Sequence, residues 1–186
     1  GIGGSDAGAV CGLSKWATPL SVNLSKKDLS KFEGNEYTAY GHRMEPVIRE
    51  WSREELGGVI EEVPGMFKSC EHDFMNANLD GLIYFEEEKK LSGVTLIGLG
   101  GHEIKESSGE GFTDEGDVPD QYYAQVQHYM QVTGLNWFIL TAHINGKPEL
   151  KHYPILRDDA FISALIKKET DFWENYVLTD TAPAPT

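Results

Sequence analysis

Apolar and polar positions recur with two different periods along the chain, and the change of period divides it into segments. In residues 35–56, "NEYTAYGHRMEPVIREWSREEL", the apolar positions Tyr40, Met44, Val47, Ile48 and Trp51 fall at helical spacing. This predicts one long amphipathic helix, which Pro46 either kinks or restarts. Ahead of it, "GIGGSDAGAVCGLSKWATPLSVNLSKK" reads as a glycine-rich turn, a short helix capped by Ser5 or Asp6, and a second helix after "TPL". From residue 58 the pattern changes. "GVIEEV", "GMFKSC", "NANLDGLIYF", "GVTLIGL" and "GHEIKES" are short β-branched or aromatic pieces between turn formers, and they predict a meander of strands. The run "EEEKK" at 86–90 reads as an exposed hairpin tip. Helical spacing returns in "DVPDQYYAQVQHYMQVTG", with Pro119 near the start and Gly134 as the stop. Two strands, "NWFILTAHI" and "ELKHYPIL", and a last helix from Asp158 to Val177 follow, and "TDTAPAPT" at 179–186 predicts a disordered tail. Helices, strands, helix, strands, helix is the order of an α/β (α+β) domain with a mixed central β-sheet flanked by helices. One such domain is expected over residues 1–178.

Composition narrows what this domain can do. With 40% hydrophobic residues in 186, the chain can bury one substantial core, and no apolar run approaches a membrane span of roughly 18–20 residues. No basic-then-apolar leader is present. Cys11 and Cys70 are solitary, which argues against a disulfide framework and a CxxC zinc site and suits a reducing compartment, so a cytoplasmic location is expected. The net charge of −14 opposes a broad phosphate-binding surface, because Lys and Arg drive such binding. A polyanionic partner then needs a local basic patch, or carboxylates gathered around hard cations that supply the positive charge.

Four Glu-x-Lys triplets occur, and their surroundings separate them. Glu87/Lys89 and Glu88/Lys90 lie in the expected hairpin tip, and Glu149/Lys151 in a hairpin return. Glu103/Lys105, in "GLGGHEIKESSGEG", follows "NANLDGLI", where Asp80 interrupts an apolar strand and shares a face with Asn78 and Leu82. An acid in such a strand must be paired, solvated at an edge or bound to a cation. If "HEIKE" is a strand, Glu103 and Lys105 share one face while Ile104 packs inward. Glu45 on the long helix, its direction fixed by Pro46, adds a third carboxylate. Two or three carboxylates and an ammonium meet the needs of metal-assisted phosphodiester cleavage. Oxygen ligands hold one or two Mg²⁺ ions, or Mn²⁺, and a lysine orients or deprotonates the water. The nearby glycines leave the backbone at residue 104 free to approach a metal. "GIGG" and "GLGG" complete no dinucleotide or P-loop fingerprint. His42, His102 and His128 lack zinc-ligand spacing and read as structural.

The chain resembles the PD-(D/E)xK nucleases, and within them the YqaJ-like viral recombinases related to phage lambda exonuclease. The resemblance rests on "GIGGSDAGAVCGLS", "YGHRMEPVI", "ANLDGL", "HEIK" and "YYAQVQHYMQVTG", in that order over residues 1 to 134, and on the closing "RDDAFISALIKKETDFWENYV". It implies a restriction-endonuclease-like core. It also implies metal binding by Asp80, Glu103, the Ile104 carbonyl and Glu45, with Lys105 activating water. Gln125 and Tyr129 match the Gln-x-x-x-Tyr helix of the RecB-like branch, where they would sit over the site and touch the scissile strand or support the lysine. Ser5 would contact a DNA 5′-phosphate, together with a basic residue that relatives carry a few positions before the Gly-rich turn. The implied activity is Mg²⁺-dependent digestion of one strand of linear double-stranded DNA from its 5′ end, leaving 3′ overhangs for recombination. A homotrimer around DNA, with Lys15, Lys26, Lys27 and Arg43 lining its channel, and a single-strand annealing partner complete the expectation. Two other readings are a RecB-like nuclease of other polarity and a DNA-end-binding module without cleavage. The lack of a cysteine cluster disfavours the iron–sulfur form of the first, and the intact acid, acid and lysine set disfavours the second.

Overall fold

The computed structural model describes residues 1–28 and 34–186. Its first helix, α1 (Gly4–Val10), is capped by Gly3 rather than by Ser5 or Asp6. Asp6 is instead the third helical residue, and its carboxylate reaches back to accept the Gly3 N–H at 2.9 Å. Helix α2 (Pro19–Lys26) starts on a Thr18/Ser21 capping box with Pro19 in the first turn. Helix α3 (Glu36–Leu56) is capped by Asn35 and stops at Gly57, whose φ of 69° suits glycine. Pro46 lies inside this one continuous helix and does not open a new one. Its missing N–H leaves the His42 carbonyl without a helical partner, which solvent can satisfy because both residues are exposed.

Strand β1 (Val59–Glu61) begins the sheet, whereas β2 (Phe67–Lys68) and β3 (Asn76–Ala77) pair only with each other. "GMFKSC" therefore contributes two residues to a side ribbon and none to the main meander. Strand β4 (Gly81–Leu91) absorbs the whole "EEEKK" run, correcting the expected hairpin tip at 86–90. The turn falls at Ser92 and Gly93, both left-handed at φ 47° and 78°, the two-residue loop that matches strand twist. Lys and Glu at 86–90 are accommodated by a register irregularity between Phe85 and Lys89.

Strand β5 (Val94–Ser107) joins the two pieces that the glycines seemed to separate. A β carbon at Gly100 would lie 2.2 Å from Trp137 Cε3, and one at Gly101 would lie 2.1 Å from Phe138 Cζ. These glycines exist to admit two rings from the neighbouring strand, rather than to free the backbone at residue 104. Helix α4 (Asp120–Thr133), ended by left-handed Gly134, is the crossover between β5 and β6 (Trp137–Ile144), the one parallel pair of the sheet. Strand β7 (Leu150–Leu156) closes a five-stranded sheet of order β1-β4-β5-β6-β7, and α5 (Asp159–Phe172) runs into a π-helical turn at Trp173–Val177.

Alternation along β6 assigns the two faces. Phe138, Leu140 and Ala142 pack with Val126, Tyr129 and Met130 of α4 and Ile162 of α5. Trp137 and Ile139 pack the other way, with Leu56, Ile60, Ile83 and Phe85. Ile48 of α3 rests on Ile104 and Leu150. At the end of the chain Asp180 meets Lys27 at 2.9 Å and Pro183 is buried. No helix among the described residues is long and apolar enough to cross a membrane.

Candidate active site

The pairing of β4 with β5 begins at Gly81 opposite His102, while β5 runs on through Ser107 against β6. The strands diverge there, and Asp80 fills the notch. It sits in a bend just ahead of β4 rather than within a strand, and the Gly81 that follows is pressed against the β1 backbone: a β carbon there would lie 2.6 Å from the Glu61 carbonyl oxygen. The Asp80 carboxylate accepts the Ile104 N–H at 2.8 Å. In an extended strand the N–H and C=O of one residue leave on the same edge, so the Ile104 carbonyl faces Asp80 as well.

Ile104 packs against α3, which turns Glu103 and Lys105 to the α4 side. Lys105 Nζ lies 3.0 Å from Glu103 Oε1 and donates to Gln125 Oε1 at 2.9 Å; Gln125 Nε2 in turn donates to the Tyr129 hydroxyl at 2.9 Å. Gln125 and Tyr129 share a face of α4 because they are four apart. Tyr122, one turn earlier, places its ring centroid 4.3 Å from Lys105 Nζ, a cation–π contact. Burial alone would lower the lysine pKa, but Glu103 and Tyr122 outweigh it and hold the ammonium above its ordinary value. Lys105 is therefore a fixed cation near neutral pH.

The carboxylates are less settled. Burial, then the Glu103 charge, push the Asp80 carboxyl up to about 8 against the opposing Ile104 N–H and Lys105. Glu103 is 3% exposed, and its Oε2 has no hydrogen-bond partner among the described residues. Glu45 projects from α3 but is taken by Arg49: Nη2 donates to Glu45 Oε1 at 2.6 Å and to the Asp80 carbonyl at 3.0 Å. Arg49 is 5% exposed. Among the described residues no three His, Cys, Asp or Glu side chains gather closely enough to hold an ion as they stand. The donor chemistry nevertheless suits a hard cation, which would occupy the bare Glu103 oxygen and draw the proton from Asp80.

Sequence reasoning missed Arg49 and the contact role of Tyr122. The signal for Arg49 was its position four residues after Glu45 on one helix. Ser5 is exposed on the first turn of α1, next to Gly4, which packs so closely on the Tyr129 ring that a β carbon would lie 2.2 Å from Cε1. The basic candidates are mostly engaged. Lys15 pairs with Glu110, Lys26 with Asp6 and Lys27 with Asp180, leaving Arg43 exposed without an ion pair among the described residues. His102 and His128 are buried and hydrogen-bonded, His102 to Thr141 and His128 to Glu169 and the Asn76 carbonyl.

Residues 1–136, which carry all of these side chains except a few supports, match the YqaJ-like viral recombinase domain. The chain belongs to that family. The YqaJ protein of Bacillus subtilis (strain 168) is 31% identical over 187 residues, 99% of this chain, and the chain spans 56% of that protein's length. Two solved structures resemble the YqaJ-like domain in fold. An alkaline exonuclease from Laribacter hongkongensis is 20% identical, with 94% of this chain and 86% of that one covered at a TM-score of 0.65. It was also solved in complex with dAMP. A phage-related exonuclease from Haemophilus somnus 129PT is 17% identical, with 96% and 94% covered at 0.68. The domain thus has the restriction-endonuclease-like fold.

Proposed function

We propose that this domain is a metal-dependent exodeoxyribonuclease that digests linear double-stranded DNA from the 5′ end and leaves 3′ overhangs for recombination. The observation that carries the reading is the buried chain Glu103–Lys105–Gln125–Tyr129 beside Asp80, a fixed cation held against an incompletely partnered acid. Membership of a viral recombinase family and the exonuclease names of the two fold neighbours support it, as does the nucleotide bound to one of them. Polarity and duplex preference follow the resemblance to lambda exonuclease.

Asp80, Glu103 and the Ile104 carbonyl would hold Mg²⁺ or Mn²⁺, one or two ions, with Glu45 completing the set once it leaves Arg49. The metal supplies a polarised phosphate and a more acidic water. Lys105, kept charged by Glu103 and Tyr122, orients the attacking water and offsets phosphate charge. Gln125 fixes the ammonium, and Tyr129 fixes Gln125. Ser5 is the contact for the 5′-phosphate. A homotrimer around DNA and a single-strand annealing partner belong to the same proposal.

The test is cleavage of linear duplex carrying 5′-phosphate or 5′-hydroxyl ends, with Mg²⁺ or EDTA, beside Lys105→Ala. Expected are 5′-phosphate-stimulated, Mg²⁺-dependent shortening from the 5′ end and a loss of about 10²-fold or more in the variant. Cleavage that needs neither metal nor Lys105 sinks the mechanism. Binding without cleavage indicates an end-binding module, and shortening from the 3′ end indicates a RecB-like polarity.

A further inference from the structure

A cleft of about 820 Å³ opens where β5 ends, immediately beyond Lys105. One wall is Tyr122, the same ring that lies against the Lys105 ammonium, so the cleft continues directly from the candidate site. The lining also carries Trp16, from the turn between α1 and α2, and Tyr37 and Tyr40, from the first turns of α3.

These three rings are conspicuously wet. Trp16 and Tyr37 are each 82% exposed and Tyr40 is 45% exposed. Among the described residues the only other aromatic so exposed is Tyr84, and no second ring packs against any of the three. Folding ordinarily buries such rings or pairs them, so three converging on one cleft point to a partner with flat faces. The charge of the cleft limits what that partner is. Lys15 is the one cation among the described lining residues, and it is paired with Glu110. Glu106 is engaged by His143, while Asp117 and Asp120 also line the walls. Such a lining repels phosphates, but it tolerates uncharged aromatic faces and accepts hydrogen bonds from exocyclic amines.

We propose that this cleft is a stacking subsite for nucleobases of the strand being cut, with Trp16, Tyr37 and Tyr40 as its platforms. The bases enter the cleft while the sugar–phosphate chain stays on the Lys105 side. The proposal rests on the nuclease reading for the identity of the strand. Base–aromatic stacking is sequence-tolerant because every base offers a π face, so the subsite grips the unpaired end without reading it.

The experiment compares a fluorescent single-stranded oligonucleotide with an abasic oligonucleotide of equal length and phosphate number, by anisotropy in EDTA. Wild type, Trp16→Ala, Tyr37→Ala, Tyr40→Ala and Trp16→Phe are measured, with circular dichroism to confirm that each folds. The normal oligonucleotide is expected to bind at least ~10-fold tighter than the abasic one. Each alanine variant should lose that preference in part, Trp16→Phe should keep it, and wild-type tryptophan fluorescence should be quenched on binding. Equal binding of the two oligonucleotides, or alanine variants that keep the full preference, overturns the proposal. So does an oligolysine peptide that binds in a Trp16-dependent manner while the oligonucleotides do not, which would make the cleft a site for a basic protein segment. Wild-type cleavage of linear duplex in Mg²⁺ is run in parallel. Cleavage without base preference removes the subsite and leaves the nuclease; base preference without cleavage does the reverse.

Discussion

At the scale of single residues, the site is a problem of crowded charge. Asp80, Glu103 and Glu45 face Arg49 and Lys105, and the excess is absorbed by Asp80, whose carboxyl is pushed up to about 8 by burial and by Glu103. An acid whose folded pKa exceeds its ordinary value near 4 binds a proton in the native state that the unfolded chain has already released. The Asp80 contribution to metal-free stability therefore falls as pH rises from about 4 to about 8 and then levels. Asp80→Asn removes that slope. Thermal unfolding in EDTA should show the variant gaining on wild type between pH 5.5 and 8.5, whereas added Mg²⁺ should stabilise wild type alone. Parallel pH profiles for the two proteins would contradict this. Arg49 is the counterpart. As the cation that occupies Glu45 without metal, it is expected on Arg49→Met to cost about 1–3 kcal/mol in urea unfolding, since two acceptors lose their donor. In the same variant, Mn²⁺ binding followed by electron spin resonance should tighten or hold rather than vanish, because Glu45 no longer has to leave a partner.

At the scale of elements, α4 links the active face to the rest of the fold through a buried pair. His128 Nδ1 lies 2.8 Å from Glu169 Oε1 of α5, and Nε2 lies 2.8 Å from the Asn76 carbonyl at β3. Both side chains are fully buried. Burial would lower the His128 pKa, but Glu169 and the carbonyl outweigh it and raise it above its ordinary value. The stabilisation is thus complete below the unfolded value near 6.5 and is lost as pH rises through the higher folded value. His128→Gln should destabilise the protein by about 3 kcal/mol at pH 6 and by less at alkaline pH, read from urea midpoints. A pH-independent cost would show that His128 acts by packing alone.

At the scale of the whole molecule, strands β1, β4 and β5 carry a cross-strand row on the same side of the sheet as α4: Val59 opposite Tyr84, and Tyr84 opposite Leu99, exposed by 55%, 46% and 50%. Residues directly opposite in antiparallel strands share a face, so this is a contiguous apolar strip suited to a subunit contact. Sedimentation should find an oligomer in solution, and Tyr84→Lys with Leu99→Lys should release monomers that remain folded. A wild-type monomer would sink the trimer. The sequence by itself determined the helices and the order of the elements. Those features depend on local periodicity, capping and motif order, which neighbouring residues decide. It misplaced what depends on distant partners. Gly100 and Gly101 read as a break because the rings of Trp137 and Phe138, which fill their empty faces, come from another strand. The 86–90 run read as a turn because its charge suggested solvent, yet strand pairing carried it to Leu91. Tertiary structure alone decided that Glu45 is held by Arg49, that Tyr122 supports Lys105, and that three aromatic side chains meet around one cleft, because each juxtaposition is made across elements or by the choice of partner among competing charges.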